Sequence, residues 1–180
     1  MADRTFEDPA LEERRQRALG YVRQIGDPVL RTPSASVTAF DEALRDEVAT
    51  MVELMRSARG VGLAAPQLGR LRRLIVIDPF EDEPPLALVN PEITWHSEAQ
   101  ETADEGCLSI GEIVVPVSRP VGVCVRAQDV DGNPFELELD GFGGRVVQHE
   151  VDHLDGILIL DRTDPDARKE ALRQLRAGQS

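Results

Sequence analysis

Gln148-His149-Glu150-Val151-Asp152-His153 sets two histidines four residues apart with a glutamate between them. An α-helix turns about 100° per residue, so such histidines lie one above the other on the same face. Two neutral imidazoles placed that way can grip one divalent cation. The intervening glutamate can then reach a water that the cation polarises. The flanking residues divide a helix into three faces. Val146, His149, Glu150 and His153 share one, and Val147, Val151 and Leu154 form a second, apolar one. Arg145, Gln148, Asp152 and Asp155 are expected on a third, toward solvent. Gly156 stands where a helix C-cap belongs.

A catalytic site of this kind needs a third protein ligand and one position left for water. A downstream histidine at the protease spacing would fall at position 159, which is Ile159. The short tail after His153 holds one glutamate, Glu170, so the third ligand is expected upstream. Candidates there are Cys107, Cys124, His96 and several carboxylates. His96 alternates with Thr94 and Glu98 on the polar face of a strand, and Cys124 fits as a small strand residue. Cys107 follows Gly106, which lets the backbone approach closely, and a thiolate from that loop would complete a His, His, Cys set.

Three separated stretches resemble the motifs of peptide deformylases, in the family's order. They are Gly60-Val61-Gly62-Leu63-Ala64-Ala65-Pro66-Gln67, Glu105-Gly106-Cys107-Leu108-Ser109 and Gln148-His149-Glu150-Val151-Asp152-His153-Leu154. The likeness runs over roughly residues 20 to 162. It implies that Cys107, His149 and His153 are metal ligands and Glu150 the catalytic acid/base. It implies that Gln67 and the Leu108 backbone N–H hold the oxyanion, and that Gly62 offers backbone to a bound peptide. The activity implied is removal of the formyl group from N-formylmethionyl peptides emerging from the ribosome, with formate released. Ferrous iron is the ion the resemblance favours; two imidazoles and a thiolate also suit zinc, nickel or cobalt and disfavour magnesium or calcium. Gly60, Val61, Gly62, Phe142 and Val146, with Gly106, are expected to line the pocket for the methionine side chain. After Ser109 the chain reads Ile110-Gly111-Glu112-Ile113-Val114-Val115-Pro116, shorter than the family's pattern and lacking its early proline. That change bears on how the later residues of a substrate are held. Two rival readings are a metallopeptidase built on the same helix and a metal-binding relative without turnover.

The rest of the composition narrows the class. A net charge of −13 argues against nucleic acid or an anionic membrane as a general partner, and no direct DNA binding is expected. Of twenty basic residues only Lys169 is lysine, which leaves nineteen arginines, a bias that fits a GC-rich bacterial genome. Two cysteines, one of them a ligand candidate, fit a reducing cytoplasm. No apolar stretch is long enough to span a membrane, and the first twenty residues lack the apolar segment of a secretory signal. Residues 1–20 are expected to be an exposed charged extension with a short helix opened by Asp8-Pro9. Residues 21–163 would form one catalytic domain and 164–180 a C-terminal helix. Its Arg168, Lys169, Arg173 and Arg176 resemble, in position and charge, a ribosome-docking helix of some deformylases.

A helix is expected from about Asp41 to Ser57 with Leu44, Val48, Met51 and Met55 as its buried stripe. Strands are expected at Leu74–Asp78, Leu86–Asn90, Glu92–Ser97, Val121–Gln128 and Ile157–Leu160. Asp131-Gly132-Asn133 reads as a hairpin turn into the alternating Phe135-Glu136-Leu137-Glu138-Leu139. Runs of strands joined by hairpins around a late helix give α+β, with mainly antiparallel sheets packed around the metal-binding helix. The oligomeric state is not written in the sequence.

Overall fold

A computed structural model describes residues 8–80 and 83–178. Residues 1–7, the first part of the expected extension, and 179–180 lie outside the described residues. Helix α1 (Pro9–Leu19) starts with Asp8 as N-cap, accepting from the Ala10 N–H, and with proline in its first turn. It lies against α2 (Glu42–Ser57), where Arg14 Nε donates to Ser57 Oγ at 2.9 Å. Asp41 caps α2 through the Leu44 N–H, so the helix begins where the sequence places it. Leu44, Met51 and Met55 form its buried stripe, with Val48 half-buried beside them. Glu47 is also buried, held by Arg70 at 3.1 Å and Arg72 at 2.5 Å.

The main sheet has five antiparallel strands. They are β1 (Gly62–Ala64), β2 (Leu74–Ile77), β3 (Leu86–His96), β6 (Gly122–Gln128) and β7 (Pro134–Asp140), in the order β1-β2-β3-β6-β7. The run Leu74-Ile75-Val76-Ile77 is buried throughout because helices cover both faces of the sheet there. Ile75 and Ile77 face Val147, Val151 and Leu154 of α3 (Gly141–Leu154), while Leu74 and Val76 face Leu44, Met51 and Met55 of α2. That double burial is why β2 reads as a continuous apolar stretch and not an alternating one.

The sequence divides β3 into two strands; the structure makes one, with a bulge. Asn90 has φ of +53°, and the pairing with β6 shifts register between Val89 and Glu92. Asn90 settles its side chain by accepting from the Val37 N–H at 2.7 Å and donating to the Val37 carbonyl at 2.9 Å. A second sheet pairs β4 (Gln100–Gly106) with β5 (Val114–Pro120), and neither strand is expected from the sequence. Their inner face, with Cys107 and Ile110, packs on Ile159 and Leu160 of α4 (Ile159–Arg162) and Ala171 of α5 (Pro165–Gly178).

Ile157–Leu160, expected as a strand, instead leads into the short helix α4. The Asp161 carboxylate accepts from the Leu158 N–H at 2.9 Å and so starts a helical turn. At the end of α3 the cap position is Asp155, and Gly156 follows with φ of +74°, the left-handed turn that a helix exit needs.

Candidate metal centre and cleft

Helix α3 brings His149 and His153 to one side, with ring centroids 5.0 Å apart. Cys107, at the end of β4, completes the group. The Cys107, His149 and His153 ligand atoms all lie within 4.8 Å of one another, and Cys107 Sγ is 3.3 Å from His153 Nε2. The two other candidates stand apart from it. His96 is exposed at the end of β3, and Cys124 is half-buried in β6 opposite Trp95.

His149 Nδ1 lies 3.0 Å from Glu105 Oε2. An ionised carboxylate only accepts, so Nδ1 carries a hydrogen and Nε2 is the nitrogen turned to the site. Glu105 is in turn fixed by arginines. Arg119 donates Nε to Oε1 at 2.6 Å and a terminal nitrogen to Oε2 at 2.9 Å, and Arg145 donates to Oε1 at 2.7 Å. Arg119 also donates to Asp152 at 2.9 Å, and Arg162 closes the chain on Asp152 at 2.5 Å. The sequence reading turns Arg145, Gln148 and Asp152 to solvent; the structure buries all three. The small sheet and α4 cover that face and supply opposite charges, and Gln148 Nε2 donates to the Pro120 and Gly144 carbonyls. Asp155 remains on the outside, paired with Arg73.

These neighbours set the charges. Burial alone raises the carboxyl pKa of Glu105, but the hydrogen bonds from His149 and Arg119 and the Arg119 charge lower it to about 2. Burial also raises the Cys107 thiol, yet His153 and His149 outweigh it and hold the thiol well below its usual range. Burial pushes His149 down, while Cys107, Glu105 and Glu150 push it well above the usual imidazole value. Glu150 goes up, chiefly because it is buried.

Glu150 sits one residue from the first histidine, facing Gly62. A Cβ built on Gly62 would stand 2.3 Å from Glu150 Oε1, so only glycine allows the strand and the carboxylate to share that space. Gln67 belongs to the 3-10 turn Ala65–Leu68 and is buried; its Oε1 accepts from the Ala64 N–H at 2.9 Å. Its Nε2 lies 3.6 Å from Cys107 Sγ.

A cleft of about 290 Å³ opens over the site. Gly60, Val61, Gly62, Gln67, Gly106, Cys107, Leu108, Phe142, Val146, His149 and Glu150 line it, and His153 lies behind. Every pocket residue expected from the sequence is therefore in one place. Glu105 and Arg145 also reach the cleft wall, and sequence reasoning gives neither a role. Glu105 stands inside a quoted motif, but β4 reads Gln100-Glu101-Thr102-Ala103-Asp104-Glu105-Gly106, with no apolar alternation to show which carboxylate turns inward. Gly111, in the loop after Ser109, is at the rim with φ of +68°.

Two imidazole nitrogens and a low-pKa thiol converging in a buried corner form a donor set suited to a borderline divalent metal. The carboxylate beside them has an oxygen, Glu150 Oε2, that is buried and without a partner among the described residues. The residues present thus fit an ion and a group serving its water.

The chain is similar to known proteins over most of its length. A family model described as polypeptide deformylase matches residues 20–169. The peptide deformylase of Thermotoga neapolitana is 50% identical over 147 residues, 82% of this chain and 88% of its own. That of Treponema pallidum is 47% identical over 153 residues, 85% of this chain and 93% of its own. A solved peptide deformylase from Synechococcus elongatus in complex with actinonin superposes with a TM-score of 0.82 at 43% identity, covering 85% of each chain. The Thermotoga maritima structure superposes at 0.77 and 46% identity, covering 80% of this chain and 97% of that one.

Proposed function

The chain belongs to the polypeptide deformylase family, and from that membership we propose how its site works. The enzyme removes the N-formyl group from the N-terminal methionine of newly synthesised proteins and releases formate. Cys107, His149 and His153 would hold the metal, with ferrous iron as the native ion and zinc, nickel or cobalt as substitutes the same donors accept. A divalent ion there supplies Lewis acidity and lowers the pKa of a water to about 7. Glu150 takes the proton of the attacking water and delivers it to the departing amine. Gln67 Nε2 and the Leu108 N–H donate to the formyl oxygen as it gains charge. Glu105 keeps His149 in the tautomer whose Nε2 faces the site. Gly60, Val61, Gly62, Gly106, Phe142 and Val146 take the methionine side chain.

The observation that carries this reading is the Cys107, His149 and His153 cluster with the unpartnered Glu150 oxygen beside it. It is tested by formate release from formyl-Met-Ala-Ser beside cleavage of an unformylated peptide. Formate without internal cleavage is expected. Internal cleavage would favour a peptidase, and neither product a metal-binding relative without turnover. The cytoplasm is the compartment where such substrates appear, and the exposed basic side chains of α5 support docking at the ribosome.

A further inference from the structure

Three segments far apart in the chain meet behind the two oxyanion donors. The Gln67 carboxamide is held at both ends: Oε1 accepts from the Ala64 N–H at 2.9 Å, and Nε2 donates to Ser109 Oγ at 3.1 Å. Only a carboxamide oxygen can accept from Ala64, so these contacts decide which end is nitrogen. Nε2 has two hydrogens: one goes to Ser109, and the other is directed at Cys107 Sγ, 3.6 Å away on the side of the metal site. Ser109 is fully buried in the 3-10 turn Leu108–Ile110, and the chemistry above gives its hydroxyl no task.

Both turns are also tied to one short stretch, Arg23-Gln24-Ile25. The Arg23 N–H donates to the Gln67 carbonyl at 2.7 Å and the Ile25 N–H to the Ser109 carbonyl at 2.8 Å. Between them Gln24 Nε2 donates to the Leu108 carbonyl at 3.2 Å. Successive residues of a single strand of chain thus hold the Gln67 turn and the Leu108 turn side by side, and the Ser109 hydroxyl joins the two directly.

We propose that Ser109, backed by Arg23–Ile25, is a positioning residue that sets the spacing of the two oxyanion donors, Gln67 Nε2–H and the Leu108 N–H. The proposal rests on the assignment of those two groups as the oxyanion donors. Such donors give their full effect only when about 2.7–3.1 Å from where the charged oxygen will be, and a misplacement of about 1 Å can cost on the order of a hundredfold. Without the hydroxyl, the carboxamide would keep the Ala64 N–H at one end and only the long 3.6 Å contact to Cys107 Sγ at the other, which leaves it room to swing. The hydroxyl removes that freedom before substrate arrives.

The test uses the full chain loaded with nickel and compares Ser109→Ala, Ser109→Thr, Gln67→Ala and the double variant on formyl-Met-Ala-Ser. Ser109→Ala should lower kcat about ten- to a hundredfold with KM within about twofold and near-stoichiometric metal. Ser109→Thr, which keeps the hydroxyl, should recover most of that loss. The double variant should be no slower than Gln67→Ala alone, since Ser109 acts through Gln67. An active Ser109→Ala beside an impaired Gln67→Ala overturns the proposal and leaves the oxyanion assignment standing. A Gln67→Ala that keeps full kcat removes the oxyanion assignment itself. Losses that multiply in the double variant, or metal lost from Ser109→Ala, place the serine's effect elsewhere and also overturn it. Should Ser109→Ala not fold, Gln24→Ala carries the comparison: a loss of about fivefold in kcat that disappears in the Gln67→Ala background supports it, and unchanged kcat refutes it.

Discussion

Glu150 and Gly62 show how closely single residues are matched. The carboxylate occupies space that a side chain at position 62 would take, with 2.3 Å between Oε1 and a built Cβ. Gly62→Ala should therefore displace Glu150 and cut kcat by on the order of a hundredfold while metal content stays near one, as metal analysis beside formate release would show. Glu150→Gln keeps the shape and removes the proton acceptor. Metal should again stay near stoichiometric, and activity should fall about 10²–10⁴-fold. A variant that loses its metal would instead make Glu150 a ligand. Glu150 is legible in the sequence, because a helix fixes the spacing of His149, Glu150 and His153; Gly62 is legible only through the family's motif, as backbone for a bound peptide, and its fit against Glu150 is not. Glu105 is not, since nothing local separates it from Asp104. Its carboxyl titrates at about 2 in the fold against an ordinary value of 4.5. The stability it contributes is complete above about pH 4.5 and is lost as pH falls toward 2. Urea unfolding from pH 6 to 2.5 should show that slope in the parent and a flatter one in Glu105→Gln.

At the scale of elements, α3 departs most from what amphipathic patterning expects. Its charged side is as dry as its apolar side, because Arg119 of β5 and Arg162 of α4 meet Asp152 while Glu105 meets Arg145. Patterning assumes that charges face water, and only the tertiary partners reveal otherwise. A buried pair broken on one side leaves a stranded charge. Arg119→Ala should accordingly destabilise by about 3–5 kcal/mol. Arg126→Ala, which breaks an exposed pair with Glu92, should cost less than about 1 kcal/mol in the same denaturation experiment. Helix α2 and strands β2, β6 and β7 are readable because caps, apolar runs and a hairpin turn mark them locally. The pair β4 and β5 is hidden by its polar composition. The α4 turn is hidden because a four-residue apolar run fits strand and helix alike.

Across the whole molecule, the α+β class and the gathering of Cys107 with the two histidines were both readable, while the arginine frame around them was not. Cys107 was separable from Cys124 by its glycine neighbour and by the motif around it. An iron-loaded enzyme exposes two oxidisable partners, a ferrous ion and a thiolate, to air. Its activity should decay in air while nickel-loaded protein holds its rate, and Cys124→Ser should alter neither. Helix α5 is tied to the body through Ala171 and through Arg168 on Asp161, while Arg173 pairs with Glu170 within the helix. If it docks on the ribosome, replacing Lys169 and Arg176 with glutamine should weaken co-sedimentation with ribosomes and leave tripeptide deformylation unchanged. Equal co-sedimentation would make the basic side chains an ordinary solvated surface.

Cys107 belongs to the apolar cluster under α4 and α5, whereas the helix bearing the two histidines is anchored in the cluster of the main sheet. An ion gripped by all three is thus a rivet between two apolar clusters that are otherwise joined by the buried charges of Glu105, Arg119, Arg145 and Asp152. By mass action it should strengthen the folded state by about 4 kcal/mol when free metal exceeds its dissociation constant a thousandfold. Stripping it with a chelator should therefore cost more than turnover: the seam between the clusters would be the first place a protease finds, and readdition of metal should close it.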